Sequence, residues 1–182
     1  MCGIIAALCN SSEKCSTILF SGLKYMQNRG YDSAGICSVS LLDNVPTTIV
    51  VEPDSAACVL ESIRTGKIEK IDIKRESLMG GMSCGEVSLV PWEILKHSVK
   101  HCISLPDDDI GKTMKLLGNS SFSDQQIIAG ENSAPGVIGL IAGCEDQNVK
   151  EKLKLDQNSN VLIIGCEGDT DKEMYQKLIS QN

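Results

Sequence analysis

Aromatic side chains are scarce in this chain, with one Trp, three Tyr and two Phe among 182 residues. Aliphatic side chains must therefore fill core volume that rings fill in most domains. Histidine is limited to His97 and His101. Their spacing puts them one turn apart on a helix, but no third ligand is evident, so surface helix positions are expected rather than a metal pair. No apolar run approaches the ~20 residues that a membrane-spanning helix needs, and no basic segment followed by a hydrophobic one opens the chain. Positive charge is the minority sign: 17 Lys and Arg stand against 24 Asp and Glu, a net charge of −7. With the acids spread along the chain, a nucleic-acid footprint is not expected, and neither is a membrane partner.

Cysteine is plentiful. The nine residues (2, 9, 15, 37, 58, 84, 102, 144 and 166) are odd in number and form no C-x-x-C pair. Most sit inside apolar runs, where a free thiol behaves as a small hydrophobe; this suits a reducing compartment, and the cytosol is the expected location. A hydrophobic content of 42% over 182 residues is enough for one respectable core.

The most informative motif is Met1-Cys2-Gly3. Loss of Met1 is expected before so small a residue, and it would leave Cys2 with both a thiol and an α-amino group. That amine has an ordinary pKa of about 7.7–8.0, so nucleophile and base would share one residue. The plain alternative is a small buried residue in second place. The apolar run Ile4–Ala7 suits a buried strand, Ser11-Ser12-Glu13 a helix start, and Ile18, Leu19, Leu23 and Met26 an amphipathic helix over about 14–27. The stretch Asn28-Arg29-Gly30-Tyr31-Asp32-Ser33-Ala34-Gly35-Ile36 then reads as a polar, glycine-bracketed turn feeding a strand.

Met-Cys-Gly-Ile, the Gly22-Leu23 pair and Arg-Gly-Tyr-Asp-Ser-Ala-Gly together resemble the N-terminus of the glutamine–fructose-6-phosphate transaminase family, a class II glutamine amidotransferase of the N-terminal-nucleophile type. The resemblance covers residues 1–40. It implies that Cys2 attacks the glutamine side-chain amide and that Arg29 and Gly30 shape the pocket around it. Met26-Gln27-Asn28 departs from the family's usual Leu-Glu-Tyr, and the family's segments for the oxyanion and for the glutamine α-groups have no counterpart here.

A junction is expected at 41–48, where Asp43-Asn44 and Pro46 punctuate the chain. Beyond it three strand–turn–helix units can be read. The first is a strand at Thr48–Pro53 with a helix over 54–65. The second is a strand at Gln126–Ala129 with a helix over 134–142. The third is a strand and turn over Asn160–Asp169 with a helix over about 171–180. The stretch 80–118 reads as mostly helical. Continuous apolar strands followed by helices indicate an α/β fold, a parallel sheet with helices on both faces, preceded by a short β-α-β fragment. Polar loops at the carboxyl ends of such strands hold ligands, and Glu52, Glu131 and the 166–171 loop fall there.

Val-Glu-Pro-Asp, Met-Ser-Cys-Gly-Glu followed by Trp-Glu-Ile-Leu, Leu-Gly-Asn, Ile-Ala-Gly-Glu-Asn-Ser-Ala and Glu-Gly-Asp-Thr-Asp resemble, in order and spacing, the C-terminal part of diaminopropionate ammonia-lyase. That family is of fold type II, related to the tryptophan synthase β chain. The resemblance covers about 48–182 and implies pyridoxal phosphate as cofactor and ammonia elimination from 2,3-diaminopropionate. It also implies that Glu131 lies near the cofactor ring and that Cys166 stands where the family places a hydroxyl facing the ring nitrogen. The alternative for Cys166 is a buried strand-end thiol, and Asp169 and Asp171 read more simply as a helix-capping run than as metal ligands. The family's Schiff-base lysine, acidic bases and phosphate loop precede the matched segment; Lys67, Lys70 and Lys74 read as solvated surface.

The resulting expectation is a chain in three parts: 1–40, an amidotransferase-like start; 41–48, a junction; and 49–182, a partial lyase domain. Three readings stay open. One is a catalytically incomplete relative of the lyase, and another is a glutaminase or transaminase component using Cys2. The third is a non-enzymatic module, pairing with itself as a homo-oligomer or with a full-length lyase subunit. An amino acid is the expected substrate of either enzymatic reading.

Overall fold

The computed structural model describes residues 35–39, 46–122, 124–165 and 167–180. The expected strand at 4–7, the expected helix over 14–27, and Cys2, Arg29, Gly30 and Cys166 lie outside the described residues.

Four strands form one sheet: β1 (Gly35–Val39), β2 (Pro46–Pro53), β3 (Val99–Leu105) and β4 (Asn160–Ile164), in the spatial order β3-β2-β1-β4. The β-branched run Thr47–Val51 explains β2, because such side chains fit a pleated, two-sided surface. β2 and β3 pair in parallel, with an irregularity between Thr48 and Ile49. β1 is antiparallel to both β2 and β4, so β4 runs in the same direction as β2 and β3. The three strands of the lyase-like part thus share the expected direction, and β1 lies among them reversed.

Among the described residues six helices connect and cover the sheet: α1 (Cys58–Thr65), α2 (Leu89–Ser98), α3 (Ile110–Gly118), α4 (Pro135–Glu145), α5 (Gln147–Leu153) and α6 (Lys172–Ser180). α1 ends at Gly66, whose φ of 77° is the left-handed conformation that lets its N–H bond the Ser62 carbonyl. α4 lies across all four strands. Its sequence, PGVIGLIAGCE, is apolar nearly all round, as a helix covered on several sides must be.

Side chains of β2 alternate between two layers. Ile49 and Val51 join the main core with Ile110 and Met114 of α3, Ile138 of α4 and Leu178 of α6. Glu52 points the other way, to the layer of α1. A second, smaller cluster forms there around Cys58, Val87 and Trp92. Helices therefore cover both faces. Among the described residues no helix is long and apolar enough to cross a membrane.

Two sequence expectations need correction. The stretch 80–118 is not continuous helix, because β3 separates α2 from α3. Val99, Cys102 and Ile103 satisfy helical spacing while Ile103 and Leu105 satisfy strand spacing, and only pairing with β2 resolves the ambiguity. His97 consequently sits on α2 and His101 on β3, not on one helix face. The expected strand at 126–129 is also absent. Ile127 and Ile128 are 46% and 41% exposed, and the Ile127 N–H bonds the Leu117 carbonyl at the end of α3 rather than a neighbouring strand.

Candidate functional site

The end of β4 and the loop leading into α4 meet, and short polar side chains lock them together. Ser133 works in both directions: its hydroxyl donates to the Glu167 carbonyl at 2.9 Å and accepts from the Glu167 N–H at 3.0 Å. The Gly130 N–H donates to the same carbonyl at 3.0 Å. The Glu167 carboxylate completes the lock, because its Oε2 accepts from both the backbone N–H and the Nδ2 of Asn132, each at 2.8 Å. Glycine is required at position 130. A Cβ there would lie 2.5 Å from the Gly168 carbonyl oxygen and 2.7 Å from the Glu167 carboxylate.

Asn132 and Ser133 are buried, at 6% and 4% exposure. The other end of the Asn132 carboxamide, Oδ1, is buried and accepts no hydrogen bond among the described residues. It abuts the 3-10 turn Gly80–Met82, where a Cβ on Gly81 would stand 3.3 Å from it. A buried acceptor without a donor is costly unless something else supplies the proton, so this atom marks a place for a ligand or a water.

Glu131, one residue earlier, is half-buried. Burial raises its carboxyl above the ordinary value, a hydrogen bond from its own backbone opposes this, and the nearby charges of Glu167 and Asp171 raise it again. Asp171 itself accepts from the Met174 N–H at 2.9 Å, which is the helix-capping role read from the sequence. Gly165 and Glu167, on either side of Cys166, take part in or adjoin the lock.

The other expected ligand-side residue, Glu52, has a different task. It is 6% exposed and its two carboxylate oxygens accept from the Val59 and Leu60 N–H groups at 2.9 Å, closing the amino end of α1. Cys58 adds a weak thiol contact at 3.8 Å. Burial pushes the Glu52 carboxyl up against these bonds, and burial followed by the Glu52 charge pushes the Cys58 thiol up to about 12. An inert thiol and a capping carboxylate are structural groups.

The sequence singled out Glu131 in this loop but not its neighbours Asn132 and Ser133 or their partner Glu167. Their signal was present: an Asn-Ser pair just before a helix-starting proline, and an acid directly after the last apolar strand. Among the described residues no group of three His, Cys, Asp or Glu is arranged to hold a metal ion. Every lysine of the described residues is exposed or half-buried.

Comparison with known proteins bears on this loop pair. The family description "Pyridoxal-phosphate dependent enzyme" matches residues 29–167, a span that takes in β1. Diaminopropionate ammonia-lyase of Escherichia coli K12 is 36% identical over 136 residues, covering 72% of this chain and 34% of that protein. A solved structure of the Escherichia coli lyase, in complex with an aminoacrylate–PLP azomethine reaction intermediate, superposes with a TM-score of 0.63 at 36% identity, over 72% of this chain and 34% of that one. The chain therefore spans about a third of the length of the lyases it matches. Separately, a probable glutamine–fructose-6-phosphate aminotransferase of Acanthamoeba polyphaga mimivirus is 50% identical over 40 residues, 22% of this chain and 7% of that protein. By the extent of the family match and the layered sheet that carries it, this chain belongs to the pyridoxal-phosphate dependent enzymes.

Proposed function

We propose that residues 49–182 are the C-terminal portion of a diaminopropionate ammonia-lyase-like site, incomplete for catalysis within this chain, with 1–40 an amidotransferase-like start and 41–48 the junction. The observation that carries this reading is the lock at the end of β4, which holds the loop Gly130–Ser133 against Glu167 and leaves the buried Asn132 Oδ1 without a partner among the described residues.

The residues present fit the ring end of pyridoxal phosphate. Asn132 Oδ1 offers a fixed acceptor, and Glu131 offers a carboxyl whose pKa burial raises. Cys166, between Gly165 and Glu167, supplies a thiol, a weaker hydrogen-bond partner than the family's hydroxyl. When bound, the cofactor supplies an electron sink for a carbanion formed on an amino-acid substrate. This chain's part is to orient the ring and to hold the half-buried Glu131 at one side of it. The cytosol and an amino-acid ligand belong to the same reading.

Titration of the full chain with pyridoxal phosphate tests it. Reversible binding that dialysis removes and borohydride does not fix to a lysine is expected, weakened on the order of tenfold by Asn132→Ala, which removes one hydrogen-bond partner. Unaided ammonia release from 2,3-diaminopropionate would overturn the incompleteness.

A second reading has one specific support, the 50% identity over 40 residues to the mimivirus aminotransferase. In it Cys2, with Arg29 and Gly30 beside it, releases ammonia from glutamine. Glutamine hydrolysis lost in Cys2→Ala supports this reading; none at any protein concentration ends it.

A further inference from the structure

We propose that Gly35–Val39 acts as a built-in donor strand: the segment that continues the amidotransferase-like start is recruited as an interior strand of the lyase-type sheet. This goes beyond the cofactor reading and does not depend on it.

Three observations converge. First, β1 is paired along both of its sides over its full length. Gly35 to Val39 align with Val50 to Pro46 of β2 and, at the same positions, with Ile164 to Asn160 of β4. Second, β2 and β4 share a direction but do not pair with each other. With β1 between them they are separated by two strand spacings, ~9.5 Å, too far for hydrogen bonding. Removing β1 would leave the backbone groups of two apolar strands, PTTIVVEP and NVLII, facing a slot one strand wide. Third, the segment suits that slot: GICSV has no charge and no proline, and α4 covers the sheet at this position as it does at the other strands. The family match also starts upstream of β1.

The consequence concerns the N-terminal segment. A strand with both edges satisfied inside this sheet cannot at the same time supply its edges to an amidotransferase layer. Any nucleophile chemistry at Cys2 would have to proceed with the strand at 35–39 already committed.

Cys37 provides the test, since it stands opposite Thr48 on β2 and Leu162 on β4. Directly paired strand positions have Cα separations of about 4.5–5.5 Å, within the range a disulfide spans. Thr48→Cys and Leu162→Cys are made separately in the full chain, oxidised mildly and mapped by mass spectrometry. Each is expected to bridge to Cys37 within one chain, and Thr47→Cys, one position out of register, is not. Hydrogen exchange on the unsubstituted chain is the second measurement, with slow amides expected at 35–39 together with those of β2 and β4. Exchange of 35–39 at the rate of an unstructured peptide while β2 stays protected would overturn the proposal. Bridges that form only between chains would overturn it too, showing that a second copy donates the strand. Cofactor binding can fail with these results intact, so the two readings are separately falsifiable.

Discussion

Asn132 grips Glu167 twice, with its backbone N–H and its side-chain Nδ2 both directed at the same carboxylate oxygen, Oε2, from 2.8 Å. Two residues 35 positions apart thereby fix the angle between the strand β4 and the helix α4, and they leave Asn132 Oδ1 turned away from the lock.

Breaking that grip should cost stability out of proportion to the atoms removed. Glu167→Ala leaves two donors of a buried residue without an acceptor, and each such loss costs about 1–3 kcal/mol. A lower urea midpoint at unchanged slope is expected. Glu167→Gln, which keeps one acceptor oxygen, should lie between the two.

Gly130→Ala is expected to be more disruptive than its single methyl suggests. The added carbon meets the Gly168 carbonyl at 2.5 Å, and backbone on the far side of the contact cannot rotate away. A loss of roughly 1–3 kcal/mol follows from overpacking of this kind. Thermal melting measures it; in the same variant, pyridoxal phosphate binding should fall.

The Glu52 carboxyl makes stability depend on pH in a definite direction. Its folded-state value is raised above 4.5, first of all by burial. Below the unfolded value both states hold the proton and no penalty arises. As pH rises through the folded value, the native state must carry a desolvated charge that the unfolded state carries in water, and that contribution is lost. The stability difference between the unsubstituted chain and Glu52→Gln should therefore move in favour of the variant as pH rises above 4.5. Urea midpoints of the two proteins across that range decide the matter.

Asp107 anchors the segment that runs up to the Gly80–Met82 turn. Its carboxylate accepts from Arg75 Nη1 at 3.1 Å, from the Leu78 N–H at 3.0 Å and from the Ser77 hydroxyl, and Arg75 also reaches Asp54 at 2.8 Å. Asp107→Ala removes three of these contacts at once. Tryptic cleavage after Arg75 should become roughly tenfold faster, equivalent to ~1.4 kcal/mol less protection against local opening. An unchanged digestion rate would show that the anchor is dispensable.

The legibility of the fold follows local chemistry. β2 and β4 are short apolar runs bounded by Pro53 and Gly165, α1 is closed by Gly66, and α4 opens on Pro135; each signal acts within a few residues and each was readable. The helix over 171–180 was equally plain because Asp171 caps it through the Met174 N–H. β3 was hidden because Val99–Leu105 satisfies two periods at once. The apolar run at 127–128 misled for the opposite reason: it has the composition of a strand but no strand partner among the described residues. At the site, Glu131 stood out as an acid in a glycine-bounded loop. The partnership of Asn132 and Ser133 with Glu167 did not, since no local rule links residues that far apart.

The amino-acid sequence by itself marked the helices α1, α4 and α6, the strands β2 and β4, and the family that the lyase-like motifs resemble, because propensity, capping and hydrophobic period all act locally. Tertiary structure alone decided the strand order β3-β2-β1-β4, the reversed direction of β1 within it, and the meeting of Asn132 with Glu167. These depend on backbone groups finding partners across long stretches of chain, and hydrogen-bonding groups carry no mark in the sequence of the strand they will join.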